Sequence, residues 1–228
     1  MADIIFVAGS WHGGWYYASV VQQLRDAGHR VCAVTLSGVA ERRHQCRHGV
    51  NLQTHIDDVL AAIEMEEMEH PILVAHSYGG MVITGVASQA IGKIRALVYL
   101  DAVVPQDGQS QWQLLPRALQ DYFLSVCNDG LTLDPPEELD RRTSPHPFAT
   151  FLQKLSVPED AFDVEYKSFA WAELNPDGVF KQFHDRLVET PGWHVSRIPC
   201  GHDLMNEAPE AVLNATLEAI RSTEGRPE

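Results

Sequence analysis

Between Pro71 and Gly80 the chain reads Pro-Ile-Leu-Val-Ala-His-Ser-Tyr-Gly-Gly, a short apolar run that breaks at a serine and gives way to two glycines. An apolar run of this length, bounded by turn residues, is the pattern of a strand buried on both faces in a parallel sheet. The segment that follows, Met81 to Ile91, is long enough and rich enough in small residues for a helix packed on that sheet. Ser77 therefore stands on a strand-to-helix turn. Such a turn holds the hydroxyl clear of the backbone, beside the free N–H groups and positive dipole of a helix N-terminus, which suits a nucleophile. Small residues two before and two after the serine let strand and helix approach; here they are Ala75 and Gly79, alanine standing where glycine is usual. The competing reading of Ser77 is a plain helix cap.

The alternation of strand and helix continues on both sides of this turn. Asp3 to Val7 and Val31 to Leu36 read as strands, with a helix from Trp15 to Ala27 between them and Gly28 as its C-cap. Leu52 to Met68 is amphipathic, with Ile56, Val59, Leu60 and Ile63 on one face, and His55 within it reads as a packed or capping residue. Further strands are expected at Ile94 to Leu100, ending at Asp101, at Val164 to Trp171 and at Trp193 to Ile198, with helices at Val179 to Val188 and Glu207 to Ile220. Counting the strand before Ser77, the pattern is a doubly wound α/β sheet of about six strands, all parallel because helix-length crossovers separate them, with helices on both faces. Two stretches fall outside it. Ser37 to Gly49 carries Glu41, Arg42, Arg43, His44, Arg47 and His48 without apolar period and reads as a solvated polar loop. From about residue 106 to 163 the alternation stops in favour of Pro, Trp, Phe and Leu, which predicts a cap of short packed helices inserted in a single domain spanning 1–228.

A chain of 228 residues with 45% hydrophobic content can bury one full core. Its net charge of −14, from 31 acidic against 17 basic residues, leaves no electrostatic footprint for nucleic acid or an anionic membrane. Cys32, Cys46, Cys127 and Cys200 are far apart and lack Cys-x-x-Cys spacing, so they read as reduced thiols and not as a zinc or redox site. Met1 runs directly into the first strand and no apolar run of about 18 residues occurs, so a cytoplasmic protein is expected. No metal constellation, phosphate loop or dinucleotide fingerprint is present, and no cofactor is expected. The sequence assigns no oligomeric state.

Three pieces in chain order, Gly9-Ser10-Trp11-His12-Gly13-Gly14-Trp15, His76-Ser77-Tyr78-Gly79-Gly80 and Gly201-His202-Asp203-Leu204-Met205 before Pro209, carry a resemblance to the α/β-hydrolase fold family. More narrowly the chain resembles its bacterial esterase branch, close to plant methylesterases and hydroxynitrile lyases. The resemblance spans nearly the whole chain and is weakest across the cap. It implies Ser77 as nucleophile and His202 as the base that takes and returns its proton. Among the histidines, His202 is set apart by a Gly-flanked turn after the last strand, at the sheet edge where Ser77 emerges. His76, beside the serine, is expected to point away from it. The resemblance also implies an oxyanion hole from the backbone N–H groups of Tyr78 and Ser10. Here the chain departs from the family, which usually has His-Gly where this sequence has Ala8-Gly9, so the loop must be held differently.

For the acid of a Ser-His-Asp triad the sequence offers two places. Most of the fold puts it after the next-to-last strand, where Glu173 and Asp177 follow Trp171; some members put it at the end of the strand after the nucleophile strand, where Asp101 stands. Asp101 is preferred, because it directly continues a buried strand, and Glu173 remains the alternative. The lyases carry a lysine just after their histidine, whereas His202 is followed by Asp203 and Leu204, which argues against that activity. The resulting expectation is a cofactor-independent serine hydrolase, carboxylesterase-like, that cleaves a small apolar ester through an acyl-enzyme. Trp11, His12, Trp112, Phe123 and Phe148 are the expected pocket. The alternatives are a lyase or cyclase of secondary metabolism that uses the same Ser and His without an acyl-enzyme, and a ligand-binding protein of low turnover.

Overall fold

Successive residues of a strand face opposite sides of its sheet, and that period of two divides the core of this molecule in half. Residues 1–127, 129–175 and 178–224 are described by a computed structural model. In chain order the elements are β1 (Asp3–Val7), α1 (Ala18–Asp26), β2 (Arg30–Val34), α2 (Leu52–Met65), β3 (Ile72–Ser77), α3 (Gly79–Gln89) and β4 (Ala96–Ala102). Then come α4 (Gln111–Leu114), α5 (Arg117–Ser125), β5 (Thr132–Leu133), β6 (His146–Pro147) and α6 (Ala149–Leu152). The chain closes with β7 (Tyr166–Ala172), α7 (Lys181–Val188), β8 (His194–Ile198), α8 (Leu204–Glu207) and α9 (Pro209–Thr223).

Six strands form one parallel sheet in the order β2-β1-β3-β4-β7-β8, as the alternation predicts. Ile5 and Val7 of β1, Leu73 and Ala75 of β3, and Leu97 and Tyr99 of β4 pack with α2, α3 and α7 on one face. Ile4, Phe6, Ile72, Val74, Val98 and Leu100 pack with Val20 and Leu24 of α1 and Val212 and Ile220 of α9 on the other. Covered on both sides, the central strands have no polar face to show, which is why their sequences read as continuous apolar runs. Helix α2 starts at a capping box in which Asn51 accepts from the Thr54 N–H and Thr54 answers the Asn51 N–H.

The structure differs from the sequence reading in several places. The expected helix from Trp15 begins as a 3-10 turn, Gly14–Tyr17, and only then becomes α1. The segment 106–163 holds the expected short helices, but also a two-stranded antiparallel pair, β5 with β6, too short to show a period. The loop after β2 is not wholly solvated. It contains a 3-10 turn at Ala40–Gln45, and Arg42 turns inward to donate to the Thr35 carbonyl at 2.8 Å and to pair with Asp58 at 3.0 Å. The four cysteines are free. Among the described residues no helix is long and apolar enough to cross a membrane.

Candidate active site

Three non-glycine residues with left-handed φ meet at the carboxyl edge of the sheet: Trp11 at 67°, Ser77 at 53° and Asp101 at 41°. Such backbones cost about 1–3 kcal/mol each and persist only where the surroundings hold them. Ser77 ends β3, and α3 begins at Gly79. A Cβ at Gly79 would lie 2.7 Å from the Val7 carbonyl oxygen and 3.3 Å from the Ala75 Cβ, so glycine here lets α3 start against β1 and leaves room for alanine at 75. Asp101 lies within β4, which runs on to Ala102, one residue past the end at Asp101 that the sequence reading gave. His76 pairs with Leu100 and Ser77 with Ala102, so Asp101 is the extra residue of a β-bulge.

The bulge has a consequence for geometry. Asp101 is fully buried, yet its carboxylate reaches the edge, where Oδ1 accepts from the Ala172 N–H at 3.2 Å and Oδ2 accepts from Asn175 Nδ2 at 3.1 Å and lies 2.7 Å from His202 Nδ1. A carboxylate only accepts, so Nδ1 carries the ring proton and the Nε2 lone pair faces Ser77 Oγ, 3.0 Å away. The imidazole is stacked on Phe180, with ring centres 4.7 Å apart and planes at 12°, and packed on His76 at 4.4 Å. His76 makes no bond to the serine, but its Nε2–H donates to the His202 carbonyl at 2.8 Å, a contact the sequence reading missed. Its place in β3 beside Ser77 was the one available signal. Burial first, and then the nearby His202, hold the His76 pKa well below the usual histidine value. Glu173 is exposed, its N–H donating to the Ile198 carbonyl, and it is not the residue that meets His202 Nδ1. Asp177 lies outside the described residues.

The glycine loop is pressed onto the same turn, since a Cβ at Gly9 would sit 2.8 Å from the Ser77 Cβ. Ser10 next to it is buried. With Ala8 packed in the apolar core, the loop is held from in front. His12 Nδ1–H donates to the Ser10 carbonyl at 2.8 Å, and Trp11 is tied to the inserted segment by three bonds. Its N–H donates to His146 Nδ1 at 3.4 Å, its indole donates to the Leu133 carbonyl at 2.9 Å, and its carbonyl accepts from the Ser144 N–H at 3.1 Å. On the other flank the Tyr78 hydroxyl donates to His55 Nδ1 at 2.9 Å, and His55 Nε2–H donates to the Ser37 carbonyl at 2.8 Å. His146 Nε2–H donates to Thr150 Oγ1 at 2.9 Å, and its ring packs on Tyr78 at 4.8 Å. Each of these two histidines therefore needs one bare nitrogen. Burial supplies the neutral form, lowering His55 to about 4 and His146 well below the usual value.

A cavity of about 260 Å³ opens onto Ser77 and His202. Trp11, His12 and Phe123 line it as expected; Trp112 and Phe148 do not. They pack on each other edge to face at 5.3 Å instead. For Trp112 the reason is helical phase. Gln111 faces the cavity from the first position of α4, and the next residue points about 100° away. From α6 it is Phe151 that lines the cavity, together with Leu115, Leu119, Tyr122 and Phe180. Among the described residues no group of three or more His, Cys, Asp or Glu side chains could hold a metal ion.

Comparison with known proteins agrees with this architecture. Residues 4–215 match the model of the alpha/beta hydrolase family. The carbendazim hydrolyzing esterase of Nocardioides sp. is 41% identical, over 92% of this chain and 96% of its own length. Methylesterase 10 of Arabidopsis thaliana is 28% identical over 57% of this chain and 46% of its own length. An extracellular alpha/beta-hydrolase from a Paenibacillus species superposes with a TM-score of 0.81, covering 96% of this chain and 99% of that one at 18% identity, and so shares the fold.

Proposed function

The chain belongs to the alpha/beta hydrolase family, and on that premise we propose that it cleaves a small apolar ester by transferring the acyl group to Ser77 and then to water. Kinship makes it an esterase of the α/β fold. The observation that most supports the proposed course is the unbroken line from Asp101 through His202 to Ser77, at 2.7 and 3.0 Å, opening into an apolar cavity. His202 Nε2 takes the Ser77 proton as Oγ attacks the ester carbonyl. Asp101 fixes the tautomer and balances the imidazolium that forms. The negative charge on the carbonyl oxygen is met by the N–H groups of Tyr78, at the start of α3, and Ser10, on the braced loop. Collapse of the intermediate expels the alcohol, which receives the proton from His202. Water then attacks the acyl-Ser77 ester with His202 again as base, and Ser77 is released. A cap of residues about 106–163, by covering the cavity with apolar side chains, selects apolar acyl or alcohol groups.

The test is intact mass after brief exposure to a fluorophosphonate, beside release of p-nitrophenol from short-chain p-nitrophenyl esters and hydrolysis of carbendazim, for which the Nocardioides relative is named. One adduct, absent in Ser77→Ala, together with turnover that this variant loses, is the expected result. Turnover in Ser77→Ala would remove the serine from the chemistry. Absence of both adduct and turnover in the native protein would favour a ligand-binding role, and conversion of a substrate without an acyl-enzyme would favour a lyase or cyclase.

A further inference from the structure

The wall of this cavity carries a charge that nothing in the wall offsets. Among the described lining residues Asp203 is the single carboxylate, and neither lysine nor arginine is present. The bonds to that carboxylate come from neutral donors: the Tyr16 hydroxyl, from the same wall, donates to Oδ1 at 2.8 Å, and Asn206 Nδ2 donates to Oδ2 at 2.6 Å. An ionised carboxylate has about four acceptor places, so these bonds do not saturate it. Asp203 stands at the head of α8, yet its side chain makes no capping bond there. His12, also in the wall, does not supply the missing cation at neutral pH, because burial above all holds its pKa below the usual histidine value. Arg142, on the inserted segment, is engaged with Asp140 through bonds of 2.9 and 2.8 Å. Behind His202 stands a second carboxylate, the buried Asp101. Much of the remaining wall is apolar, from Leu115, Leu119, Phe123 and Phe151, and such a wall screens a charge poorly. The field of Asp203 therefore reaches whatever enters.

We propose that Asp203 is a specificity-determining residue that sets the charge the site accepts: among esters of similar shape, one with a cationic nitrogen is preferred to its neutral isostere, and one with an added anionic group is turned away. This rests on the reading of the cavity as the ester site. A cation that enters exchanges part of its hydration for the carboxylate, whereas an anion loses hydration and meets a like charge with no cation to offset it. The acid released by hydrolysis is itself an anion at neutral pH, so the same carboxylate disfavours its retention.

The experiment compares native protein with Asp203→Asn, which keeps the volume and an oxygen for the Tyr16 hydroxyl. One series is 2-(trimethylammonio)ethyl, 3,3-dimethylbutyl and 2-sulfoethyl acetate, whose cationic, neutral and anionic heads have similar tetrahedral shapes. A second series puts the same heads on the acyl side, as the p-nitrophenyl esters of 3-(trimethylammonio)propanoate, 4,4-dimethylpentanoate and 3-sulfopropanoate. A cation-to-anion ratio of kcat/KM that falls about tenfold or more in Asp203→Asn, in either series, supports the proposal. A smaller change in both series, or an equal fall for every ester, overturns it. Asp203→Glu separates charge from shape: it should recover most of the native ratio, and a ratio as low as that of Asp203→Asn would assign the loss to shape and overturn the proposal. Calorimetric binding of both series to Ser77→Ala, with and without Asp203→Asn, keeps the test independent of turnover. If the native protein hydrolyses none of these esters, the ester reading fails for this class, yet a cation-to-anion affinity ratio that Asp203→Asn lowers about tenfold still supports Asp203; no binding, or no such change, removes it.

Discussion

Asp101 joins a backbone distortion to a side-chain task. Its φ of 41° and its bulge in β4 turn a carboxylate out of a fully buried strand to 2.7 Å from His202 Nδ1. Replacing it with asparagine keeps the volume but puts an amide where a carboxylate only accepts. If the amide N–H turns to His202, Nδ1 must give up its proton and Nε2 takes one, so the ring can no longer receive the Ser77 proton. Asp101→Asn is therefore expected to lower kcat by about four powers of ten, while Glu173→Gln changes it little; steady-state kinetics on one p-nitrophenyl ester measures both, and a loss in Glu173→Gln alone would move the role there. The placements of Ser77 and His202 were readable from local signatures, a small-x-Ser-x-Gly turn and a Gly-flanked turn after the last strand. Asp101 could be narrowed to a strand end but not fixed, because a bulge depends on pairing with β3 and has no signature within β4. His76 was readable only as a neighbour in sequence, since the carbonyl it reaches belongs to residue 202.

At the scale of elements, the first loop and the inserted segment behave as one support. Trp11 has its N–H, carbonyl and indole N–H all engaged by residues 133–146, and the residue before it, Ser10, is the proposed donor to the oxyanion. His146 belongs to β6 and to the insertion, so the insertion holds the loop as well as walling the cavity. His146→Leu removes the acceptor for the Trp11 N–H while keeping an apolar side chain against Tyr78. The expected result is a fall in kcat of about tenfold or more, part of the loss typical for one oxyanion donor, with KM little changed. Affinity for a trifluoromethyl ketone, whose adduct with serine carries the same oxyanion, should fall in parallel; an unchanged affinity would mean that Ser10 does not depend on His146. This dependence was not readable in the sequence, because the contacting segments are 135 positions apart and the insertion has no hydrophobic period. The sheet was readable almost completely, since its strands lie buried between two helical layers and advertise themselves as apolar runs. The pocket was half readable: composition showed that aromatic residues gather in the insertion, but the phase of a helix as short as α4 decides which of its residues face the cavity.

In the whole molecule, His55, His76 and His146 are buried as neutral rings, at 0%, 4% and 0% exposure, and in each burial is the first cause of a lowered pKa. The unfolded chain returns them to about 6.5. Below that pH the unfolded chain binds protons that the folded chain refuses, so stability is complete above about pH 6.5 and declines as the pH falls toward the folded values, near 4 for His55. Each of the three withdraws stability as the pH falls through this window, by at most about 1.4 kcal/mol per pH unit. An opposing effect must be weighed. The net charge of −14 favours expansion, and acid relieves it. Carboxylates, however, titrate near pH 4, so little of that relief arrives above pH 5 and the histidines dominate there. The midpoint of thermal unfolding should therefore fall steadily between pH 7 and pH 5, and a flat profile would mean that the three rings are not held neutral by the fold. Two of them brace the proposed machinery, His76 at the His202 turn and His146 at the Trp11 loop. Ester turnover should consequently fail with the fold in acid and return when a sample brought back to pH 7 refolds.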